Sequence, residues 1–199
     1  VMAKGLSWMD YQESMPAACD IHSNDLYDVS HNPFVYYSDV VKQKALCDAH
    51  VVPLSRFNPS ATPANFVWVS PNMKDDGHLS SVGYADSWLR AWLTPLMSEP
   101  WYSSSAFIVD FDEGQGSSAH QGYRTGGIAL GGCAGKTVCG GPVYLAAVSP
   151  YTKGVGEYTP DATQYNVLST IEWLLGLGST RTGYDGTAHF PAMSGLFHT

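Results

Sequence analysis

Two apolar segments of this sequence end abruptly in residues that could do chemistry. Residues 66–70 (FVWVS) lead into a turn that closes on His78, and residues 106–111 (AFIVDF) lead directly into Asp112 and Glu113. Buried strands of an α/β sheet deliver their carboxyl ends to the crevice where ligands bind, so we predict that these three side chains lie within reach of one another. Carboxylates beside a histidine suit a divalent cation that holds a phosphate. The pattern therefore indicates part of a metal-assisted phosphoesterase site.

The elements that must position these side chains alternate between strands and helices. Strands are predicted over the apolar runs 66–70, 106–111 and 142–149. Helices are predicted over residues 5–16, 36–49, 81–96 and 165–177. The glycine- and serine-rich stretch 114–141 shows little periodicity and is predicted to be an excursion loop. This order predicts a single α/β domain over residues 1–199 with a largely parallel sheet.

Composition limits the partners that this chain can have. Of its 199 residues 44% are hydrophobic, and the formal net charge is −8. Because no basic patch could neutralise nucleic-acid phosphates, a nucleic-acid partner is not expected. No apolar run approaches the roughly 20 residues of a transmembrane helix, and no signal-peptide pattern is visible. A sequence that starts at Val1 and reaches Trp8 at once is typical of a processed piece.

Four cysteines form two pairs along the sequence. Cys19 and Cys47 could pin a long loop, and Cys133 and Cys139 bracket a short loop that a disulfide could close. Neither pair has the C-x-x-C spacing of a zinc site. The even count and the low charged fraction, 14%, favour two disulfides in an exported protein, whether secreted, periplasmic or at the cell surface. Four free, buried thiols in a cytosolic chain are the alternative.

Several segments, taken together and in order, resemble one enzyme family. They are LSWMDYQESMP at 6–16, HNPFVYY at 31–37, VSPNMKDDGH at 69–78, IVDFDE at 108–113, VSP at 148–150 and YNVLSTIEWLLGL at 165–177. The set resembles the C-terminal part of the phosphoesterase family that holds bacterial phospholipase C and AcpA-type acid phosphatases, within the alkaline phosphatase-like superfamily. The resemblance implies a three-layer α/β/α sandwich with a largely parallel central sheet, without the N-terminal part of that fold.

The resemblance also implies roles for individual residues. Asp112 and Glu113 match the paired acidic position that coordinates the catalytic divalent metal ion. His78 matches the histidine that contacts the phosphoryl group or assists its leaving oxygen, and His31 matches a histidine on the phosphate side. Both histidines are therefore expected to be catalytic and substrate-binding, and the expected substrate is a small phosphate ester or a phospholipid headgroup. Ser30 stands where some members carry a further histidine.

The family's N-terminal metal motif and its nucleophile have no counterpart in this sequence. That part of the family carries Glu-Asn and a Ser or Thr nucleophile, whereas Glu13 and Glu157 are followed here by Ser and Tyr. In an intact site the hydroxyl would attack phosphorus in line and form a phosphoenzyme, while His78 and His31 neutralise oxygens and protonate the leaving alcohol. The resemblance thus implies a nucleophile outside this chain, on an N-terminal fragment or a second chain.

Two other functional classes fit the same residues. A non-catalytic extracellular structural or interaction protein could retain a degenerate phosphoesterase fold, and the low charge and glycine-rich loop would suit it. A glycoside hydrolase could use Asp112 and Glu113, although adjacent residues on a strand point to opposite faces. Taken singly, the acidic pair could also end an edge strand in solvent, and His78 could be an ordinary loop residue. Metal-dependent release of phosphate separates the phosphoesterase from the glycosidase.

Overall fold

The computed structural model of the protein describes residues 1–113, 124–125, 128–129, 143–154, 162–178 and 190–198. Contacts divide the chain into two compact units, Val1–Tyr102 and Ser103–Thr199.

The first unit is built on a parallel sheet of three strands. These are β1 (Trp8–Gln12), β2 (Val51–Pro53) and β3 (Phe66–Ser70), in the order β2-β1-β3. Asp10, in the central strand, lies opposite Val51 on one side and Trp68 on the other. Because all three strands run in the same direction, their carboxyl ends meet at one edge of the sheet. The α/β class and the parallel sheet predicted from the sequence are confirmed, whereas the three-layer sandwich stays a prediction.

Four α-helices accompany the strands in the described parts of the chain. They are α1 (Ser38–Val41), α2 (Lys44–His50), α3 (Val82–Leu96) and α4 (Gln164–Leu174). Short 3-10 turns lie at Met2–Lys4, Val29–His31, Pro33–Tyr36, Leu54–Arg56, Pro100–Ser104 and Ser194–Leu196. The hydroxyl of Ser81 caps α3 by accepting the backbone N–H of Tyr84. None of the helices in the described residues is both long and apolar enough to cross a membrane.

The central strand corrects one sequence prediction. Residues 5–16 are predicted to form a short helix, but the structure forms β1 there instead. Burial alternates along this strand, with Trp8, Asp10 and Gln12 buried and the residues between them half-buried. A strand normally shows this alternation as apolar against polar residues. Here two of the three inward positions carry polar side chains, so the period of two is hidden in the sequence.

The core of the first unit includes residues of the sheet and one cysteine of a disulfide. The cluster consists of Trp8, Met15, Tyr27, Val35, Val40, Cys47 and Val51. The Trp8 ring stacks on Phe34 and on His50, with centroids 4.7 Å and 4.6 Å away. Cys19 and Cys47 are joined, as their spacing suggested. For a loop of this length, chain entropy gives such a cross-link a stabilising effect of roughly 3–4 kcal/mol.

The second unit contains antiparallel strand pairs. Strand β4 (Phe107–Asp110) pairs with β7 (Leu145–Val148), whereas β5 (Arg124–Thr125) pairs with β6 (Ile128–Ala129). The sequence predicted β4 and β7 as strands, but within this unit they run in opposite directions. Most of the predicted excursion loop 114–141, together with Cys133 and Cys139, lies outside the described residues.

Candidate active site

The turn that follows β3 is tied to the end of β1. The backbone N–H of Asn72 donates to Glu13 Oε2 at 3.0 Å, and Glu13 comes directly after β1. The Asn72 side chain then accepts from the backbone N–H groups of Lys74 and Asp75, at 2.9 Å and 3.0 Å. Side-chain amides of this kind hold a turn by replacing backbone partners. The carboxyl edge of the sheet therefore carries a turn of fixed shape at residues 72–78.

The two predicted histidines meet at this turn around one carboxylate. His31 Nδ1 lies 3.3 Å from Asp76 Oδ2, and the backbone N–H of His78 donates to Asp76 Oδ1 at 2.7 Å. The two imidazole ring centroids are 6.4 Å apart, with planes inclined at 65°. His31 is partly buried, whereas His78 is exposed. The structure thus brings together two histidines that lie far apart in the sequence.

The backbone of His31 is held from the opposite side by the end of β3. Ser70 Oγ donates to the His31 carbonyl at 2.8 Å, and it accepts from the indole N–H of Trp68 at 2.8 Å. Just before His31, the Asp28 carboxylate accepts the backbone N–H of Ser30 at 2.9 Å, and this bond lowers the pKa of Asp28. His31 is therefore fixed both through its main chain and through the turn that carries it.

A buried polar network lies beneath this site on the central strand. Gln12 Nε2 donates to Asp10 Oδ1 at 2.7 Å and to Ser70 Oγ at 3.2 Å. Asp10 is fully buried, and its Oδ2 has no hydrogen-bond partner among the described residues. Burial raises the pKa of Asp10 to about 7, although the hydrogen bond from Gln12 opposes that shift. The network connects the interior of the sheet to the serine that holds His31.

Two further carboxylates, those of Glu13 and Asp75, contact the same turn. Glu13 Oε1 accepts the indole N–H of Trp88 at 3.2 Å, and Asp75 Oδ2 accepts from the Asn72 side chain at 2.8 Å. Burial raises the pKa of Glu13, the Asn72 N–H opposes this, and the negative charge of Asp75 adds to it. Asp75 therefore interacts with Glu13, whereas the adjacent Asp76 contacts the two histidines.

The predicted acidic pair lies in the second unit, directly after β4. Asp112 and Glu113 are both exposed, and Asp112 Oδ1 accepts the backbone N–H of Glu113 at 2.8 Å. Gln164, the first residue of α4, donates through its side chain to the carbonyl of Phe111 at 3.1 Å. Desolvation, together with the charge of Asp112, raises the pKa of nearby Asp110 to about 6. Three carboxyl groups thus follow one another at the end of β4.

The chemistry of this acidic pair fits part of a divalent cation site. Carboxylate oxygens are ligands that hard cations prefer. No group of three or more His, Cys, Asp or Glu side chains suited to a metal occurs among the residues that the structure describes. Asp112 and Glu113 would therefore supply only some of the ligands. Their predicted meeting with His78 stays a prediction, since the histidines belong to the first unit.

Sequence reasoning did not assign functional roles to several polar residues of the first unit. From the sequence alone, Asp76 is interpreted as a turn or helix-capping residue that could orient His78, and Asp10, Gln12, Glu13 and Asn72 have no assigned role. One signal was available: polar side chains at alternate positions of a segment that also carries Trp8 and Tyr11 are compatible with a buried strand face. The contact between Asp76 and His31 joins residues 45 positions apart, so no local pattern could predict it.

Comparison of the sequence with known protein families gives a match. The chain belongs to the Phosphoesterase family, whose model matches residues 1–178. This confirms the family that the ordered segments indicated. No solved structure matches the chain.

Several curated proteins are similar to the chain. Phosphatidylinositol-3-phosphatase of Mycobacterium tuberculosis is 30% identical over 192 residues, which cover 94% of this chain and 54% of that protein. Acid phosphatase of Aspergillus fumigatus is 24% identical over 88% of this chain and 38% of its own length. A probable acid phosphatase of Kluyveromyces lactis is 26% identical over 56% of this chain and 29% of its own length. The chain thus spans about half the length of the first relative and less of the other two.

Proposed function

We propose that the protein hydrolyses phosphate esters, either small phosphomonoesters or the phosphorylated headgroup of a phospholipid. The observation that carries this proposal is the meeting of His31 and His78 around Asp76 at the carboxyl edge of a parallel sheet. Ligands of α/β proteins bind at such edges. Membership of the Phosphoesterase family and similarity to acid phosphatases and a phosphatidylinositol phosphatase support the same chemistry.

The two histidines would act on the oxygens of the phosphoryl group. A protonated imidazole donates a hydrogen bond to a phosphate oxygen and stabilises the charge that grows there in the transition state. As the bond between phosphorus and the ester oxygen breaks, that oxygen keeps the electron pair and needs a proton. One imidazolium supplies this proton as a general acid. Separate donors for a phosphoryl oxygen and for the leaving oxygen would explain the use of two histidines.

The attacking group is proposed to be a Ser or Thr hydroxyl outside this sequence, as in the phosphoenzyme route that the resemblance implies. Its oxygen would form a bond to phosphorus while the ester alcohol leaves, and water would then release inorganic phosphate. Because the chain spans about half the length of its first relative, an N-terminal fragment or a second chain would carry this hydroxyl.

Asp112 and Glu113 are proposed to hold a divalent cation. The bound cation would screen the phosphate charge and lower the pKa of the attacking hydroxyl. At neutral pH carboxylates are acceptors without protons to donate, so they would repel a phosphate dianion if it approached them directly. This electrostatic conflict is the physical reason for assigning the acidic pair to a cation and the histidines to phosphate.

The Cys19–Cys47 disulfide supports an extracytoplasmic location for the protein. Disulfides persist in oxidising compartments and are rare in the cytosol. The bond closes a separation of 28 residues and lies in the core of the first unit. We therefore propose a secreted, periplasmic or surface location, which fits a role in releasing phosphate from esters outside the cytoplasm.

The proposal is tested by measuring the inorganic phosphate that the intact protein releases. Intact protein here means this chain together with the N-terminal fragment or second chain that would carry the hydroxyl. The assay uses p-nitrophenyl phosphate and a phosphatidylinositol phosphate, before chelation, after chelation, and after divalent cations are restored. We expect turnover that chelation abolishes and that returns with at least one cation. The D112N/E113Q double variant should need far more cation to reach half-maximal rate. The variant D48N/E99Q, which changes charge equally in the first unit, is the matched control.

Three results would contradict the proposal. Turnover that survives complete chelation would show that the reaction does not need a metal ion. Absence of phosphate release from every ester would favour the non-catalytic alternative. Release of reducing sugar from glycosides without phosphate release would instead assign the acidic pair to glycoside hydrolysis.

A further inference from the structure

We infer that Asp76 is a positioning residue that orients both histidines, His31 through its ring and His78 through its backbone. This inference rests on the proposed function, because the histidines must first be the residues that act on phosphate. Asp76 itself is assigned no contact with the substrate. Its proposed role is to fix which nitrogen of His31 faces the substrate and where the main chain of His78 lies.

The two oxygens of the Asp76 carboxylate have separate contacts. Oδ2 lies 3.3 Å from the Nδ1 atom of His31, and Oδ1 accepts the backbone N–H of His78 at 2.7 Å. One carboxylate therefore joins two segments that are remote in the sequence. A substitution that removes the charge and keeps the shape should disturb His31 more than His78, since an amide oxygen can still accept the His78 N–H.

The carboxylate is itself held in place by the turn. The backbone N–H of Asp76 donates to the Asn72 carbonyl at 2.9 Å. Asn72 is buried, and its own N–H is bound by Glu13 from the end of β1. The Asp76 side chain is only 19% exposed. A carboxylate in a fixed turn next to the central strand can define the direction of a ring, whereas one on a free loop could not.

The contact to Nδ1 determines which edge of the His31 ring is available. The two ring nitrogens lie on different sides of the imidazole, so with Nδ1 toward Asp76 the Nε2 atom is left for a ligand. The Ser70 hydroxyl fixes the carbonyl of the same residue. His31 is thus held at both its main chain and its ring, as a proton donor needs to be.

Three side chains lie close to the His31 ring. Asp76 lies against it, Asp28 at the start of the same turn interacts with it electrostatically, and the centroid of the His78 ring is 6.4 Å away. With a carboxylate beside Nδ1, the neutral ring is expected to carry its proton on that nitrogen. Loss of the Asp76 carboxylate should therefore remove this preference between the two ring nitrogens.

The test compares the variants D76N and D76A with D86N in the intact protein. D86N makes the same charge change at an exposed position on α3, where Asp86 pairs with Arg90 at 3.5 Å. For D76N we expect a fall in kcat of about 10- to 100-fold, the range for partners that orient a functional histidine. KM should change little, and D76A should be slower still. D86N should match the wild type in both kcat and KM.

A second readout does not depend on activity. Nitrogen-15 NMR of the histidine rings reports which nitrogen of His31 carries the proton in the neutral form. We expect Nδ1–H in the wild type and a change toward Nε2–H in D76A, with the spectrum of D86N unchanged. An unchanged tautomer in D76A, or a D76N variant as active as D86N, would overturn the inference. An inactive wild type that still shows the tautomer change would contradict the proposed function alone.

Discussion

The side chains of the candidate site have different degrees of support from their surroundings. His31 is held through its carbonyl by Ser70 and has its ring against Asp76, whereas His78 is exposed and anchored through its backbone N–H. The more firmly held residue suits proton transfer, which depends on accurate geometry. The more exposed residue suits a phosphate contact that forms when the substrate arrives. This division of roles belongs to the proposed function.

Asp10 provides a test of the buried network at the scale of one residue. Its pKa of about 7 in the folded protein exceeds the ordinary value of 3.8, so the folded state holds this proton more tightly than the unfolded chain. The stability that this group contributes is complete below about pH 4 and is lost as the pH rises toward 7. Asn at this position keeps the shape and stays neutral. We therefore expect D10N to gain stability over the wild type as the pH rises.

Urea unfolding of both proteins at pH 5 and at pH 8 measures this effect. The advantage of D10N should grow by about 2–3 kcal/mol between the two values, at about 1.4 kcal/mol per unit of pKa shift. The exposed variant D86N should show no such growth. An equal difference between D10N and the wild type at both pH values would mean that Asp10 titrates normally in the folded protein.

At the scale of elements, the turn after β3 depends on one glycine between Asp76 and His78. Gly77 has a φ of +97°, in the left-handed region where other residues are strained. A Cβ atom there would lie 3.6 Å from that of Ala85, an ordinary contact, so any cost comes from the backbone. We expect G77A to lose about 1–2 kcal/mol of stability and to lower activity by displacing His78.

The matched control for this turn is a glycine in a helix. G83A changes the same atoms within α3, where the backbone is helical and the nearest atom to a new Cβ is 4.0 Å away. Alanine should stabilise that position by about 0.5–1 kcal/mol. Denaturant unfolding should thus show a lower free energy of unfolding for G77A than for the wild type, and a higher one for G83A. A stabilised G77A would show that the turn does not need the left-handed conformation.

Sequence reasoning succeeded for elements whose periodicity is carried by apolar residues. Strand β3, with its run FVWVS, and helix α3, with tryptophans one turn apart, lie where the sequence predicts them. Strand β1 was missed because Asp10 and Gln12 occupy inward positions, and β2 because it is only three residues long. The helix predicted over 36–49 is divided into α1 and α2.

The candidate site was predictable only in part, for a physical reason. His31, His78, Asp112 and Glu113 could be selected because they follow strands or turns in segments that resemble the family. The residues that support them could not, since their contacts depend on the folded turn at 72–78 and on pairs such as Glu13 with Asn72. Glu13 and Asn72 are 59 residues apart in the sequence.

At the scale of the whole molecule, the chain combines one unit that carries the histidines with another that carries the acidic pair. In the proposed function, the histidines would stabilise the phosphoryl oxygens and the carboxylates would retain a cation. The net charge of −8 also bears on how a phosphate ester could bind. A protein this acidic would repel a phosphate dianion unless local positive charge surrounded the site.

The most direct test of this account is the rate of phosphate release by the intact protein carrying H31N and H78N, singly and together. H22N is the control, because the His22 side chain is 84% exposed and pairs with nearby Asp20. We expect each single variant to lose at least about 100-fold in kcat, the lower end for a general acid, while H22N keeps the wild-type rate. Histidine variants that release phosphate as fast as H22N would contradict the account.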